Sequence, residues 1–339
     1  MTERNYMFDT FRGLLIASIP VSHFTRVAGD FSQGSLGGVV YITINVFVMQ
    51  AFMFLSGYFS KKPQRARETA FKTFMLPYLV FTVVFYFFRY LYFGAAKLNF
   101  LMPPFALWFL FSVFFYRFFL KDLIRIKHLL PLCILLYLAA GQIPIFDEFL
   151  ALGRTVSYFP FFMLGYYCSK ERLESLQHLK TWQSMSLAAI LIGVSCLLAF
   201  NKVVPVGFYL LKTTAAEIGV EWWMDIAMRI LIFILACAWI VLMINIIPTK
   251  RSYLTYIGMN TMPIYIFHLF VRYVIKVNGL PNPNVLVYYL CIFGLAAICV
   301  LALSSPPVAK AYDKTFEKLD EMYVALKHML FYYPDEKTK

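Results

Sequence analysis

Two side chains that do chemistry sit in an otherwise apolar stretch, FDTFRGLLIASIPVSHF, at residues 8–24: Arg12 and His23. A guanidinium stays charged at any working pH and grips phosphate or carboxylate through a planar fork of N–H donors. A neutral imidazole in a polar setting is the common general base. A charge at the centre of a membrane helix costs about 2.5–3.5 kcal/mol on insertion scales, so its presence asks for a use. The two residues are eleven positions apart. Eleven steps of about 100° end within about 20° of three full turns, so one helix presents both from one face, separated by roughly 16 Å of rise. Plainer uses compete for each. Arg12 can snorkel and pair with Asp9 one turn earlier. His23 lies three residues past Pro20 and can bond a carbonyl freed by a kink.

Other polar residues stand inside apolar runs. His268 is the second intramembrane histidine, and Arg154 stands just before SYFPFF. Asn45, Gln50, Ser56, Tyr265 and Arg89 are candidates to stabilise a developing oxyanion, though Arg89 fits an interfacial snorkelling position equally well. His128, His178 and His328 fall in basic loops or the tail and read as solvated. The six cysteines lie within or beside apolar segments, with no C-x-x-C pair and no metal-ligand spacing. They read as small buried hydrophobes, and neither a disulfide framework nor a metal site is expected.

These residues need helices to position them, and composition says what kind. The chain of 339 residues is 61% hydrophobic and 14% charged, whereas a soluble domain carries about 25% charged residues. Ten apolar segments can be drawn, at 10–28, 36–59, 71–93, 105–120, 128–145, 153–168, 183–200, 222–247, 253–276 and 284–306. The expected fold is all-α, a polytopic transmembrane helix bundle of about ten spans in the lipid bilayer. The net charge of +13 is read by location rather than as a nucleic-acid signal. KKPQRARETAFK, KDLIRIKH, SKERLESLQHLK and TKR alternate with connections poorer in Lys and Arg or richer in acids. That alternation predicts cytoplasmic N- and C-termini. Residues 1–307 form the expected transmembrane domain. In 308–339, Tyr312, Phe316, Leu319, Tyr323, Leu326 and Leu330 follow three-and-four spacing, which predicts a cytoplasmic amphipathic tail helix. The first segment lacks the features of a cleavable signal. No internal repeat stands out, which counts against a transporter or flippase for a lipid-linked saccharide, the rival reading of intramembrane polar residues.

The string RNYMFDTFRGLLIASIPVSH resembles the opening of the acyltransferase-3 family of integral membrane proteins, in which an Arg or Lys is followed after ten residues by a His. VFVMQAFMFLSGYFSKK, FKTFMLPYL, ALWFL, YFPFFMLGYY and YIGMNTMPIYIFHLF resemble later family segments in the same order, and the stand-alone fucose 4-O-acetylase-like branch is the most similar. The resemblance implies transfer of an acyl group, acetyl by preference, from acyl-CoA to a hydroxyl of a cell-envelope or exopolysaccharide sugar or glycolipid, in a bacterial plasma membrane. It implies His23 and Arg12 as catalytic and His268 and Tyr265 as facing the substrate; by the charge alternation Arg12, Lys62, Arg65 and Lys72 lie on the side of the CoA phosphates, and Arg154 and Asn45 are further candidates to face the substrate. Direct transfer and an acyl-histidine intermediate both fit this residue set.

Overall fold

A computed structural model describes residues 6–29, 31–143, 149–202, 204–282 and 284–330. Among them every regular element is helical. The first elements are α1 (Met7–Val27), α2 (Leu36–Tyr58), α3 (Pro63–Ala70) and α4 (Leu76–Phe93), the last two joined by a π-helical turn at Phe71–Met75. Then follow α5 (Trp108–Leu123), α6 (Leu129–Ala139), α7 (Leu152–Tyr167), α8 (Lys170–Ser175), α9 (Thr181–Asn201) and α10 (Ala215–Ile218). The chain continues through α11 (Trp222–Ile246), α12 (Tyr253–Met259), α13 (Thr261–Asn278), α14 (Val285–Leu303) and α15 (Pro306–Leu330).

Each of the ten apolar segments is helical over most of its described residues. Among the described residues five helices are long and apolar enough to cross a membrane: α2, the continuous Pro63–Phe93, α9, α11 and α14. A sixth crossing results if α12 and α13, bent by 84° at their junction, count as one. The segments at 105–120, 128–145 and 153–168 give helices of 16, 11 and 16 residues, short of the roughly 20 that span a hydrocarbon core. Helix α1 is polar for a different reason. It is packed on α2, α12, α13 and α14 and buries most of its side chains, so its surface meets protein rather than lipid.

Small residues allow the closest helix approaches, as expected where packing rather than hydrophobicity drives association. A Cβ added at Gly13 of α1 would strike the Leu254 carbonyl of α12, and one at Gly258 would strike the carbonyl of Asp9. Thr10 and Thr255 share a 2.8 Å hydroxyl hydrogen bond across the same contact. Between α11, α6 and α7 lies a fully buried ion pair. Arg229 Nε donates to Asp225 Oδ2 at 3.0 Å, and Gln142 Nε2 donates to the same oxygen at 2.8 Å. The fork's other nitrogens reach Ser157 Oγ at 3.2 Å and the Thr213 carbonyl at 3.3 Å.

Part of the amphipathic tail docks on the protein. Tyr323 stacks on Phe71, Phe316 packs on Phe81, and Asp320 pairs with Lys72 at 2.7 Å. Leu326 and Leu330 remain exposed. Residues 331–339 of the expected tail lie outside the described residues.

Candidate active site

The contact of α12 with the first half of α1, followed by the bend, sends α13 along the second half of α1. His268 thereby arrives against His23, with His23 Nδ1 and His268 Nε2 2.8 Å apart. The other nitrogen of His268, Nδ1, lies 2.7 Å from the carbonyl oxygen of Ile264. A carbonyl only accepts, so His268 Nδ1 carries the proton. In a neutral ring Nε2 is then an acceptor, and His23 Nδ1 must donate to it. His23 is left with an unprotonated Nε2, which makes no hydrogen bond among the described residues. The histidine expected as a base thus has its lone pair free, and the buried one holds the tautomer.

His23 forms part of the wall of two cavities. The larger, about 650 Å³, lies beyond His23 from Arg12 and is bounded by the ends of α1 and α4, the starts of α2, α5 and α7, Arg272 of α13 and the connections at 97–106 and 206–212. The smaller, about 60 Å³, runs inward from His23 past Ser22, Asn45, Tyr158 and Tyr265.

Phe105 lines the larger cavity beside His23. Its ring meets the His23 edge at 5.1 Å and lies under the Arg272 guanidinium at 3.7 Å. It holds φ 44°, a left-handed conformation that costs a bulky residue about 1–3 kcal/mol. Tyr265 clamps this turn by donating its hydroxyl to the Ala106 carbonyl. Two groups named from sequence as oxyanion donors are therefore already committed. Tyr265 gives its proton to Ala106, and Asn45 Nδ2 gives its two to Ser22 Oγ and the Tyr41 carbonyl, both at 2.8 Å. Ser22 accepts from Asn45 and keeps its own proton free among the described residues. Arg154 stacks on Trp108 with 4.9 Å from guanidinium carbon to ring centroid, on the wall common to both cavities.

A family model described as an acyltransferase domain matches residues 5–304. The chain belongs to the acyltransferase-3 family. Comparisons with curated proteins and with solved structures found no match. The apolar helices and the family together make it an integral membrane acyltransferase.

In this acyltransferase the residues expected at the donor lie at the opposite end of α1 from His23. Arg12 is paired with Asp9 and placed over the Phe59 ring that follows α2. Of the neighbouring basic run, three members serve the fold. Lys61 donates to the Cys168 carbonyl at 2.7 Å and to the Tyr166 carbonyl, capping the end of α7. Arg67 pairs with Asp122, and Lys72 with Asp320. Lys62 and Arg65 are exposed and carry no ion pair among the described residues. The structure thus brings His23, His268, Asn45, Tyr265 and Arg154 together and keeps Arg12, Lys62, Arg65 and Lys72 apart from them. Neither cavity at His23 includes Arg12.

Sequence reasoning passed over Arg26 and Arg272, which both face the larger cavity. The signal was available: each stands one helical turn beyond a histidine, at i+3 from His23 and i+4 from His268. Lys97 and Lys212 carried no such signal, because connections bring them there.

Proposed function

We propose that this acyltransferase moves a short acyl group, acetyl by preference, from acyl-CoA to a hydroxyl of a cell-envelope or exopolysaccharide sugar, as a fucose 4-O-acetylase-like enzyme of a bacterial plasma membrane. The observation that carries the reading is the His23–His268 pair, with its free Nε2, at the junction of a sugar-sized cavity and an acetyl-sized one. In this scheme ten segments cross or enter the bilayer and both termini face the cytoplasm, which sets Arg12 on the cytoplasmic side and the larger cavity on the outer side.

Acyl-CoA arrives from the cytoplasm. Arg12, Lys62 and Arg65 meet its phosphates, joined by Lys72 on release from Asp320. The pantetheine arm extends along α1, whose rise of roughly 16 Å from Arg12 to His23 matches its task of carrying the thioester inward. His23 Nε2 takes the proton of the acceptor hydroxyl as that oxygen attacks the thioester carbonyl. The developing oxyanion is met by the Ser22 O–H and the Arg154 guanidinium. Collapse breaks the C–S bond, and the protonated His23 gives its Nε2 proton to the departing CoA thiolate, yielding ester and free CoA. Throughout, His23 Nδ1–H stays bonded to His268, an acceptor that stabilises the imidazolium. Arg154 and His268 line the acceptor side, while Asn45 and Tyr265 hold Ser22 and the Phe105 turn in place.

The test uses the purified protein in nanodiscs, measuring CoA release from acetyl-CoA across a panel of sugar acceptors. His23→Ala should lower turnover by about 10²–10⁴-fold. Unchanged turnover in that variant excludes His23 as the base. Saccharide flux in liposomes without CoA release would favour the flippase reading instead.

A further inference from the structure

The larger cavity is strongly and one-sidedly charged. Arg26, Arg89, Lys97, Arg154, Lys212 and Arg272 all line it, and no Asp or Glu does among the described residues. They come from α1, α4, α7, α13 and two connections, so the cluster is a product of folding and no stretch of sequence contains it. Among the described residues Arg26, Arg89, Lys97, Lys212 and Arg272 have no carboxylate within ion-pair distance. On the cytoplasmic face such a cluster follows from topology alone. On the outer face it runs against the tendency that sorts Lys and Arg inward.

The arginines are also oriented. Arg26 lies over Phe31 at 4.5 Å, Arg154 over Trp108 at 4.9 Å and Arg272 over Phe105 at 3.7 Å. Stacking on a ring fixes the guanidinium plane, and the N–H edges of Arg26 and Arg272 can then meet a planar or tetrahedral anion. A cleft lined by one sign of charge, with low-dielectric walls, concentrates counter-ions. A neutral sugar would leave that repulsion uncompensated.

We propose that the cavity selects an acidic saccharide, whose phosphate or carboxylate is held by this arginine and lysine cluster while its hydroxyl meets His23. The proposal rests on the acyl-acceptor reading above and adds the acceptor's charge. Arg26 and Arg272 lie within about one helical turn, ~5.4 Å along the axis, of the histidine on their own helix. The anionic group and the reacting hydroxyl therefore belong to the same sugar or to adjacent ones.

Equilibrium binding of radiolabelled glucose 1-phosphate, glucuronate and glucose to the protein in phosphatidylcholine nanodiscs tests this. The two acids should bind at least roughly tenfold more tightly than glucose at low salt, with the gap closing at about 0.5 M salt as screening sets in. The stronger of the two separates phosphate from carboxylate. Arg26→Gln with Lys97→Gln, both exposed positions, should erase most of the gap while leaving acyl-CoA binding unchanged, which also reports an intact fold. Arg272→Lys, which keeps the charge and loses the fork, should weaken the acids less than Arg272→Gln. Equal binding of glucose and the acids, or a gap indifferent to these substitutions, overturns the proposal. So does loss of acid binding in phosphatidylglycerol nanodiscs, which would make a lipid headgroup the anion. CoA-release assays with the same sugars separate the two levels. Acid binding without transfer to any of them supports the charge selection and counts against the acceptor reading. Equal transfer to neutral and acidic sugars keeps the acyltransferase reading and sinks this one.

Discussion

Replacing His268 by phenylalanine removes the acceptor of the 2.8 Å bond from His23 Nδ1 while filling the buried space with a ring. The His23 N–H is then stranded at a cost of about 1–3 kcal/mol. Because the bond strengthens as His23 becomes an imidazolium, the loss falls on the transition state. At about 1.4 kcal/mol per factor of ten, turnover drops roughly 5- to 150-fold with acyl-CoA affinity unchanged. His268→Gln offers the control. Its amide N–H can donate to the Ile264 carbonyl and its amide oxygen can accept from His23, so it keeps both polarities of the native ring. The assay is CoA release in nanodiscs, with thermal melting as the measure of fold. His268→Gln should recover most of the loss, and His268→Phe should cost almost nothing further in a His23→Ala background, since groups acting as a unit are non-additive. Wild-type turnover in His268→Phe refutes the positioning role. So do equal losses in the two His268 variants at equal thermal stability, or losses that multiply in the double variant.

Two further outcomes follow from the packing and the charges. Arg12→Ala should weaken acyl-CoA binding by about 10- to 100-fold, the worth of a charge-assisted hydrogen bond to phosphate, and leave acetyl transfer at saturating donor nearly intact; unchanged affinity in equilibrium binding removes Arg12 from the donor site. Asp225→Ala strands the buried Arg229 charge and should cost about 3–5 kcal/mol, seen as a large drop in melting temperature, whereas an apolar pair of similar size at both positions should restore most of it. A melting temperature unaffected by Asp225→Ala would mean that the guanidinium is not held by this pair.

The helical segments were legible because apolar length is a local property. All ten apolar runs form helices, and the spacing of Arg12 and His23 correctly anticipates a single helix carrying both. Crossing capability was less legible. The helices over 105–120, 128–145 and 153–168 are short, and whether a short helix spans depends on its neighbours. The pairing of Asp225, in the first turn of α11, with Arg229 one turn later lies inside the apolar segment drawn at 222–247, and its burial against α6 and α7 was not legible there.

By itself the sequence determined the class and the family and singled out His23, His268, Asn45, Tyr265 and Arg154 as polar residues in apolar runs, since periodicity and intramembrane polarity leave marks on neighbouring residues. Tertiary structure alone decided what those residues do to one another. The Gly13–Gly258 contact and the 84° break before α13 bring two histidines 245 positions apart into hydrogen bonding, and the Ile264 carbonyl then fixes which ring keeps a free lone pair. The same convergence gathers six cations from separate elements around one cavity. Proton placement and summed charge depend on distance through space, and separation along the chain carries no record of it.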